Sequence, residues 1–295
     1  MKNTLVLGTF DGVHIAHKTL LSEAEKTGGR VIACTFDAPP AYFFNKIDNM
    51  LSLPEEKKEL LLLAGADEVF MQHFDEKISS LSPEEYIKSL ADIFSPGTVV
   101  AGFNHRFGKN ASGTGKELAD LGKKFGINVL TVPPCTKDGI LVSSTEIRNA
   151  LSSGEITRAN ALLGRRYAIS GTTVHGRHVG HTIGFPTVNT AYGKGKTIPK
   201  PGVYATFCTV LGRTYKGMTN IGANPTVSDS GIISVETYIL GFEDDVYGEN
   251  IKIEFVQRLR DEKKFDSLDS LKEQLRFDAA ITDGLLKYKT QVHPK

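Results

Sequence analysis

The first half of the chain alternates short apolar runs with stretches of helical periodicity. Leu5 to Gly8 reads as a buried strand, residues 15–27 as a helix and Val31 to Phe36 as a second strand. Ser52-Leu53-Pro54-Glu55 is a helix start with proline near the first turn, and the helix runs on through Leu60 to Leu63. Ala66 to Met71 is strand-like. Ser82-Pro83-Glu84-Glu85 repeats the same starting device, Thr98 to Gly102 is another strand, and residues 115–125 form a helix that stops at Gly126. Ile127 to Val132 adds a further strand. This rhythm predicts a parallel sheet with helices on both faces.

Past Gly164 the pattern changes. Short strands dominate, over 167–174, 202–211, 214–221, 232–240 and 250–259, with Gly-, Pro- and Asn-bearing turns between them. They predict a compact antiparallel barrel or sandwich. One helical stretch, 267–286, follows, with Leu268, Leu271, Leu275 and Phe277 on the face expected to pack on the strands. The border falls in 153–166, where a short helix over 155–163 ends at Gly164. The expected division is a first domain over 1–153, a linker helix region over 154–166 and a second domain over 167–295.

Composition narrows the function classes. A chain of 295 residues corresponds to about two domains. The net charge of +1 excludes attachment to nucleic acid or a membrane surface by bulk charge. Three dispersed cysteines, Cys34, Cys135 and Cys208, argue against a disulfide scaffold and a Cys-rich zinc site. No apolar run is long enough for a spanning helix, and the N-terminal residues read directly into a strand rather than as a signal peptide. The expected location is the cytoplasm, the expected partners are small molecules, and oligomeric state stays open.

Three segments carry candidate chemistry. Gly8-Thr9-Phe10-Asp11-Gly12-Val13-His14-Ile15-Ala16-His17 joins the first strand to the first helix. Glycine there permits close backbone approach, and a helix start offers free N–H groups and positive potential to a phosphate. His14 and His17, three apart, share a helix face and can donate to phosphoryl oxygens; a capped helix start with two incidental histidines is the alternative. Val142-Ser143-Ser144-Thr145-Glu146-Ile147-Arg148 is a second helix start, with Ser143 and Glu146 in capping-box spacing and hydroxyls and Arg148 suited to phosphate. In the second half, Gly176, Gly180 and Gly184 lead into Phe185-Pro186-Thr187-Val188-Asn189, a polar run suited to wrapping a ligand. Thr187 and Asn189 supply oxygens for a hard cation such as Mg²⁺ with bound phosphates, although glycine-rich turns between strands would look similar. Glu236 alternates with Val235 and Thr237, so it points away from their face. No G-x-x-x-x-G-K-[ST] phosphate loop occurs, since Lys116 lacks the following Ser or Thr.

These segments resemble, in order and over about residues 5–280, the bacterial bifunctional riboflavin kinase/FMN adenylyltransferases, the FAD synthetase family. Residues 8–17 resemble its G-x-F-D-G-V-H-x-G-H motif, Thr35 to Pro40 its T-F-D-P-H-P, Gly102 to Gly108 its G-x-D/N-F-x-F-G and Ser143 to Arg148 its S-S-T-x-I-R. Gly176 to Asn189 resembles the kinase G-x-x-x-G-x-x-x-G-F-P-T-A-N run, and Arg258 to Phe265 its R-x-E-x-K-F. The resemblance implies a Rossmann-like α/β nucleotidyltransferase domain, then an antiparallel β-barrel riboflavin kinase domain with a C-terminal helix. It implies Mg²⁺- and ATP-dependent phosphorylation of riboflavin to FMN, and adenylylation of FMN to FAD with release of pyrophosphate. His14 and His17 would hold the triphosphate and stabilise the α-phosphate transition state, with Gly8, Phe10, Asp11, Asn104, Arg106, Ser144, Thr145 and Arg148 in the same site. Thr187 and Asn189 would bind Mg²⁺ and ATP phosphates under the loop of Gly176, Gly180 and Gly184. Glu236 would be the general base, and Arg260 would approach flavin or phosphate. The chain departs from the motifs at Ala16, at Ala38 and Pro39, at His105 and at His181. Two alternatives accompany this reading: a kinase with a degenerate first domain, and a flavin- or nucleotide-sensing protein.

Overall fold

A computed structural model describes residues 2–174, 184–223 and 233–286. The chain forms two units: Met1–Ile147 with Leu162–Gly164 and Gly195–Thr197, and Arg148–Ala161 with Arg165–Lys194 and Ile198–Lys295.

The first unit holds strands β1 (Thr4–Leu7), β2 (Val31–Phe36), β3 (Glu68–Gln72), β4 (Thr98–Gly102) and β5 (Asn128–Val132), which form one sheet in the order β3-β2-β1-β4-β5. Every neighbouring pair is parallel. The connecting helices are α1 (Ile15–Glu25), α2 (Pro40–Phe43), α3 (Pro54–Leu63), α4 (Glu76–Ser80), α5 (Pro83–Phe94) and α6 (Gly115–Phe125). Strand side chains alternate between two cores. Leu5, Leu7, Ile32, Cys34, Val99 and Ala101 pack with Tyr86, Ile87 and Leu90 of α5 and Leu118 and Leu121 of α6. Val6, Val31, Ala33 and Val100 pack with Leu20, Leu21 and Ala24 of α1 and Leu61 of α3. The continuous apolar runs of the sequence are therefore strands buried on both faces. Gly126 ends α6 at φ 67°, a left-handed conformation that glycine adopts without strain. A small hairpin, β6 (Thr136–Lys137) and β7 (Ile140–Leu141), follows β5. It and α4 are too short to leave a periodic signal.

Helices α7 (Ser144–Ser153) and α8 (Ile156–Leu163) come next along the chain. The second unit is a closed barrel of β8 (Tyr167–Val174), β9 (Thr187–Tyr192), β10 (Gly202–Val210), β11 (Arg213–Ala223), β12 (Ile233–Ile239) and β13 (Asn250–Arg260), in the order β10-β11-β12-β9-β8-β13. All its pairings are antiparallel, and β13 closes on β10. That closure decides between barrel and sandwich. Strand β9 falls where the sequence suggests a ligand-wrapping loop. Its run is too polar to read as a strand, since Thr187 and Asn189 occupy one face and the other carries Val188, the buried Thr190 and Tyr192. Inside the barrel, the wholly buried hydroxyls of Thr206, Thr219 and Thr237 form a chain with 2.9 Å links across β10, β11 and β12. Each polar group is thereby satisfied, which is the condition for burying it.

Helix α9 (Leu268–Leu285) completes the described chain. It is tied to the barrel through Asp278, which is 2% exposed. Nε and Nη2 of Arg260 both lie 2.8 Å from Oδ2 of Asp278, and Gln274 donates to its Oδ1 at 2.9 Å. Nη1 of Arg260 donates to the Asp261 carbonyl. Removing one partner strands the other's charge, so Asp278→Ala is expected to lower unfolding stability by about 3–5 kcal/mol, as read from urea denaturation. No helix among the described residues is long and apolar enough to cross a membrane.

Candidate active sites

In the parallel sheet the chain leaves β1 for β2 and β3, then returns to β4 on the other side. The loop after β1 therefore sits at the switch in strand order, where open α/β sheets bind ligands at the carboxyl ends of their strands. This loop is strained: Phe10, Gly12 and Val13 have φ of 49°, 83° and 38°. For β-branched Val13 that conformation is costly and persists only if its surroundings impose it. They do so through several bonds. The Asp11 carboxylate accepts from the backbone N–H groups of Leu51 and Ser52 at 2.9 and 3.2 Å, and the Gly12 N–H donates to the Ser52 hydroxyl at 3.0 Å. A Cβ on Gly12 would lie 2.8 Å from Leu51. Phe10 is wholly buried in the core, its ring edge-on to His17 at 5.0 Å. The side chains of Phe10 and Asp11 thus brace the loop from inside.

His14 caps α1 and His17 stands in its first turn. Their rings stack at 3.6 Å, and the His14 N–H donates to Nδ1 of His17 at 3.3 Å. Burial, the adjacent His14 and the cation of Lys57 push the pKa of His17 well below the ordinary imidazole value. His17 is therefore neutral, and because Nδ1 accepts, its single proton sits on Nε2. A fixed N–H donor at a helix start suits a developing phosphoryl charge.

The second helix start joins the first. The Ser144 hydroxyl donates to the Asp11 carbonyl at 2.8 Å, so the N-terminus of α7 meets the loop after β1. Ser143 accepts from the Glu146 N–H at 3.2 Å, as its spacing predicts, and Thr145 is exposed. Arg148, further along α7, belongs to the second unit. After β4, Asn104 and Arg106 are exposed while His105 stacks on Phe107 at 5.6 Å. Burial pushes His105 down to about 4, so it behaves as a neutral aromatic ring.

The segments after β2 and β3 add residues to which the motifs assign no role. His73 Nδ1 lies 2.5 Å from an Asp37 carboxylate oxygen, and that bond holds His73 above its usual range. Burial raises the Asp37 carboxyl, but the hydrogen bonds from His73, Phe74 and Ala38 outweigh it and hold the group low. Beside them Phe36, Phe74, Phe43 and Phe44 form an edge-to-face aromatic cluster, with Phe43 and Phe44 39% and 52% exposed. Phe103, exposed just after β4, adds a further aromatic at the same edge of the sheet. Paired phenylalanines after a strand were the available signal.

In the barrel, Val235, Thr237 and Ile239 are buried, and Glu236 and Tyr238 occupy the other face of β12. Glu236 is in register with Asn189 of β9 on one side and Asn220 of β11 on the other, and Tyr238 with Thr187. Registered partners share a face, so Thr187, Asn189 and Glu236 stand together on neighbouring strands. Gly184 has φ 80° and open space around it, so its backbone conformation, not packing, demands glycine. Gly176 and Gly180 lie outside the described residues. The guanidinium of Arg260 is engaged by Asp278 and the Asp261 carbonyl.

The model of the riboflavin kinase family matches residues 163–286, and that of the FAD synthetase family matches residues 1–146. A bifunctional riboflavin kinase/FMN adenylyltransferase of Listeria monocytogenes is 35% identical over 96% of this chain and 92% of its own length. One from Bacillus subtilis is 34% identical over 94% of this chain and 90% of its own. A crystal structure from Streptococcus pneumoniae, described as a macrolide-efflux protein, covers 96% of this chain and 94% of its own at 30% identity and a TM-score of 0.88. That description stays with that protein; the likeness carries the fold. With both units matched and relatives aligned along nearly the whole length, the chain belongs to the family of bifunctional riboflavin kinase/FMN adenylyltransferases.

Proposed function

We propose that the barrel phosphorylates riboflavin with ATP to give FMN, and that the parallel-sheet unit adenylylates FMN to FAD. Family membership supports the pair of activities. For adenylyl transfer the carrying observation is the Ser144–Asp11 bond, which joins two helix starts over one strained loop. Their N–H groups, Thr145 and the Nε2 proton of His17 converge on a region suited to a triphosphate. An FMN phosphate oxygen attacks the α-phosphorus of ATP, pyrophosphate leaves, and charge growing on the α-phosphoryl oxygens is met by these donors. Exposed Phe43, Phe44 and Phe103 suit a flat flavin ring, with Asn104 and Arg106 as polar contacts.

For the kinase the carrying observation is the shared face of Thr187, Asn189 and Glu236. Glu236 takes the proton of the riboflavin 5′-hydroxyl as its oxygen attacks the γ-phosphorus and ADP departs. A hydroxyl and an amide oxygen two residues apart on one strand face are hard donors that fit Mg²⁺ with phosphate and water completing its shell. Bound there, the ion would neutralise phosphate charge. The reading includes a cytoplasmic location and small-molecule partners.

Chromatography of a reaction containing the protein, riboflavin, ATP and Mg²⁺ tests it. FMN followed by FAD is expected. FMN that never proceeds, even when supplied as substrate, would leave a kinase alone; no product would leave a binding protein. Gly12→Ala, which needs φ 83° and meets Leu51, is expected to abolish FAD formation while FMN formation continues in the same assay.

A further inference from the structure

Lys57 is a cation with no solvent contact. It stands in α3 and is 0% exposed. Its ammonium donates to the carbonyl of Phe36, the last residue of β2, at 2.7 Å and to that of Asp37 at 3.4 Å. None of the motifs includes it, and no carboxylate among the described residues is within ion-pair distance of it. Two carboxylates nonetheless act on its charge, Asp11 after β1 and Asp37 after β2, and its charge in turn acts on His17 of α1. The ammonium therefore lies behind the region where β1, β2 and the start of α1 meet.

We propose that Lys57 is a positioning residue for adenylyl transfer: a buried ammonium that fixes the carboxyl end of β2 and places one positive charge behind the loop carrying His14 and His17. The inference rests on the adenylyltransferase reading of that loop. Two physical arguments support it. A purely structural position of this kind favours methionine or leucine, because removing an ammonium from water is costly and two carbonyls offset only part of that cost. Burial pushes Lys57 down to about 8 against the opposing pull of Asp11 and Asp37, so the fold holds a charged lysine at a loss. What the charge supplies is a preorganised field in a water-poor region, where it acts on a triphosphate more strongly than any exposed lysine would. It also adds to the burial and the adjacent His14 that keep His17 neutral, and so a donor through Nε2.

Lys57→Met and Lys57→Gln test the inference, the glutamine keeping a donor for the carbonyls without the charge. Each variant is assayed on the full chain for FMN adenylylation, for riboflavin phosphorylation and for Tm. Both are expected to lose at least about tenfold in kcat for adenylylation with little change in the KM for FMN, while phosphorylation stays within about twofold. Lys57→Met is expected to melt at or above the wild-type temperature. In the wild type, adenylylation is expected to fall as pH rises through about 8, where Lys57 loses its proton, and that limb is expected to be absent in Lys57→Gln. The groups facing this charge are Asp11, Asp37 with its partner His73, His14 and His17; all but Lys57 remain in the variant, so a limb owed to them would persist. Wild-type adenylylation with both variants unchanged overturns the inference, as does a parallel loss of both activities with a lowered Tm. A wild type that makes FMN but no FAD overturns the adenylyltransferase reading itself, which separates the two failures.

Discussion

Replacing Glu236 with glutamine is expected to lower riboflavin phosphorylation by about 10²–10⁴-fold, the usual contribution of a positioned general base. Glutamine keeps the size and polarity of the side chain but cannot take the proton of the 5′-hydroxyl. The register supports the placement. Glu236 is paired with Asn189 and Asn220 on the half-buried face of β12, while the opposite face closes the core through Val235, Thr237 and Ile239. The substitution therefore leaves the barrel core untouched. FMN adenylylation, followed by supplying FMN directly, is expected to continue at the wild-type rate. A loss of both activities would refute independent sites, and full phosphorylation would remove Glu236 from the reaction.

The second large effect runs the other way. His17→Ala is expected to lower FMN adenylylation by about 10²–10³-fold, the range for removing one preorganised donor from a developing oxyanion, with phosphorylation retained. Its proton lies on Nε2 because Nδ1 accepts the His14 N–H, and burial, His14 and Lys57 keep the ring neutral. The sign of the pH dependence follows. A neutral donor survives acidification until the pH reaches its depressed pKa, so the limb owed to His17 is expected below 6.5, not at it. The same shift costs stability in acid. The unfolded chain binds a proton at His17 below 6.5 and the folded chain does not, so its contribution is intact above 6.5 and is lost as pH falls below that value. Melting temperatures of the wild type and His17→Ala on either side of 6.5 check this, with the variant expected to show the smaller acid decline.

Particular residues show why some of this was legible in the sequence and some was not. Val31–Phe36, Thr98–Gly102 and Tyr167–Val174 match their expected bounds because a continuous or alternating apolar run is a local property of the chain. The cap at Ser82 and the stop at Gly126 were visible for the same reason: capping and left-handed turns depend on a few adjacent side chains. Strand β9 was hidden because one of its faces carries Thr187 and Asn189 where a core strand would carry valine. Phe10 and Asp11 were legible as motif residues, but their burial was not, nor was the commitment of Arg260 to Asp278 across the barrel surface. His105 departs from the motif in chemistry, yet burial against Phe107 makes it behave as an aromatic ring.

The sequence by itself determined two units, the change from parallel α/β to antiparallel β architecture, both helix starts, and the motifs that resemble a flavin-processing family. These are encoded in periodicity, turn residues and short spacings, each within a few residues along the chain. Tertiary structure alone decided the strand order that puts the loop after β1 at a switch point, and the closure of β13 on β10. It also decided the bond from Ser144 to Asp11, 133 residues away, and the burial of Lys57 behind the histidines. The physical reason is common to all four. Register, burial and long-range hydrogen bonds depend on which surfaces meet, and desolvation sets the charge of a histidine or lysine only once those surfaces have closed over it.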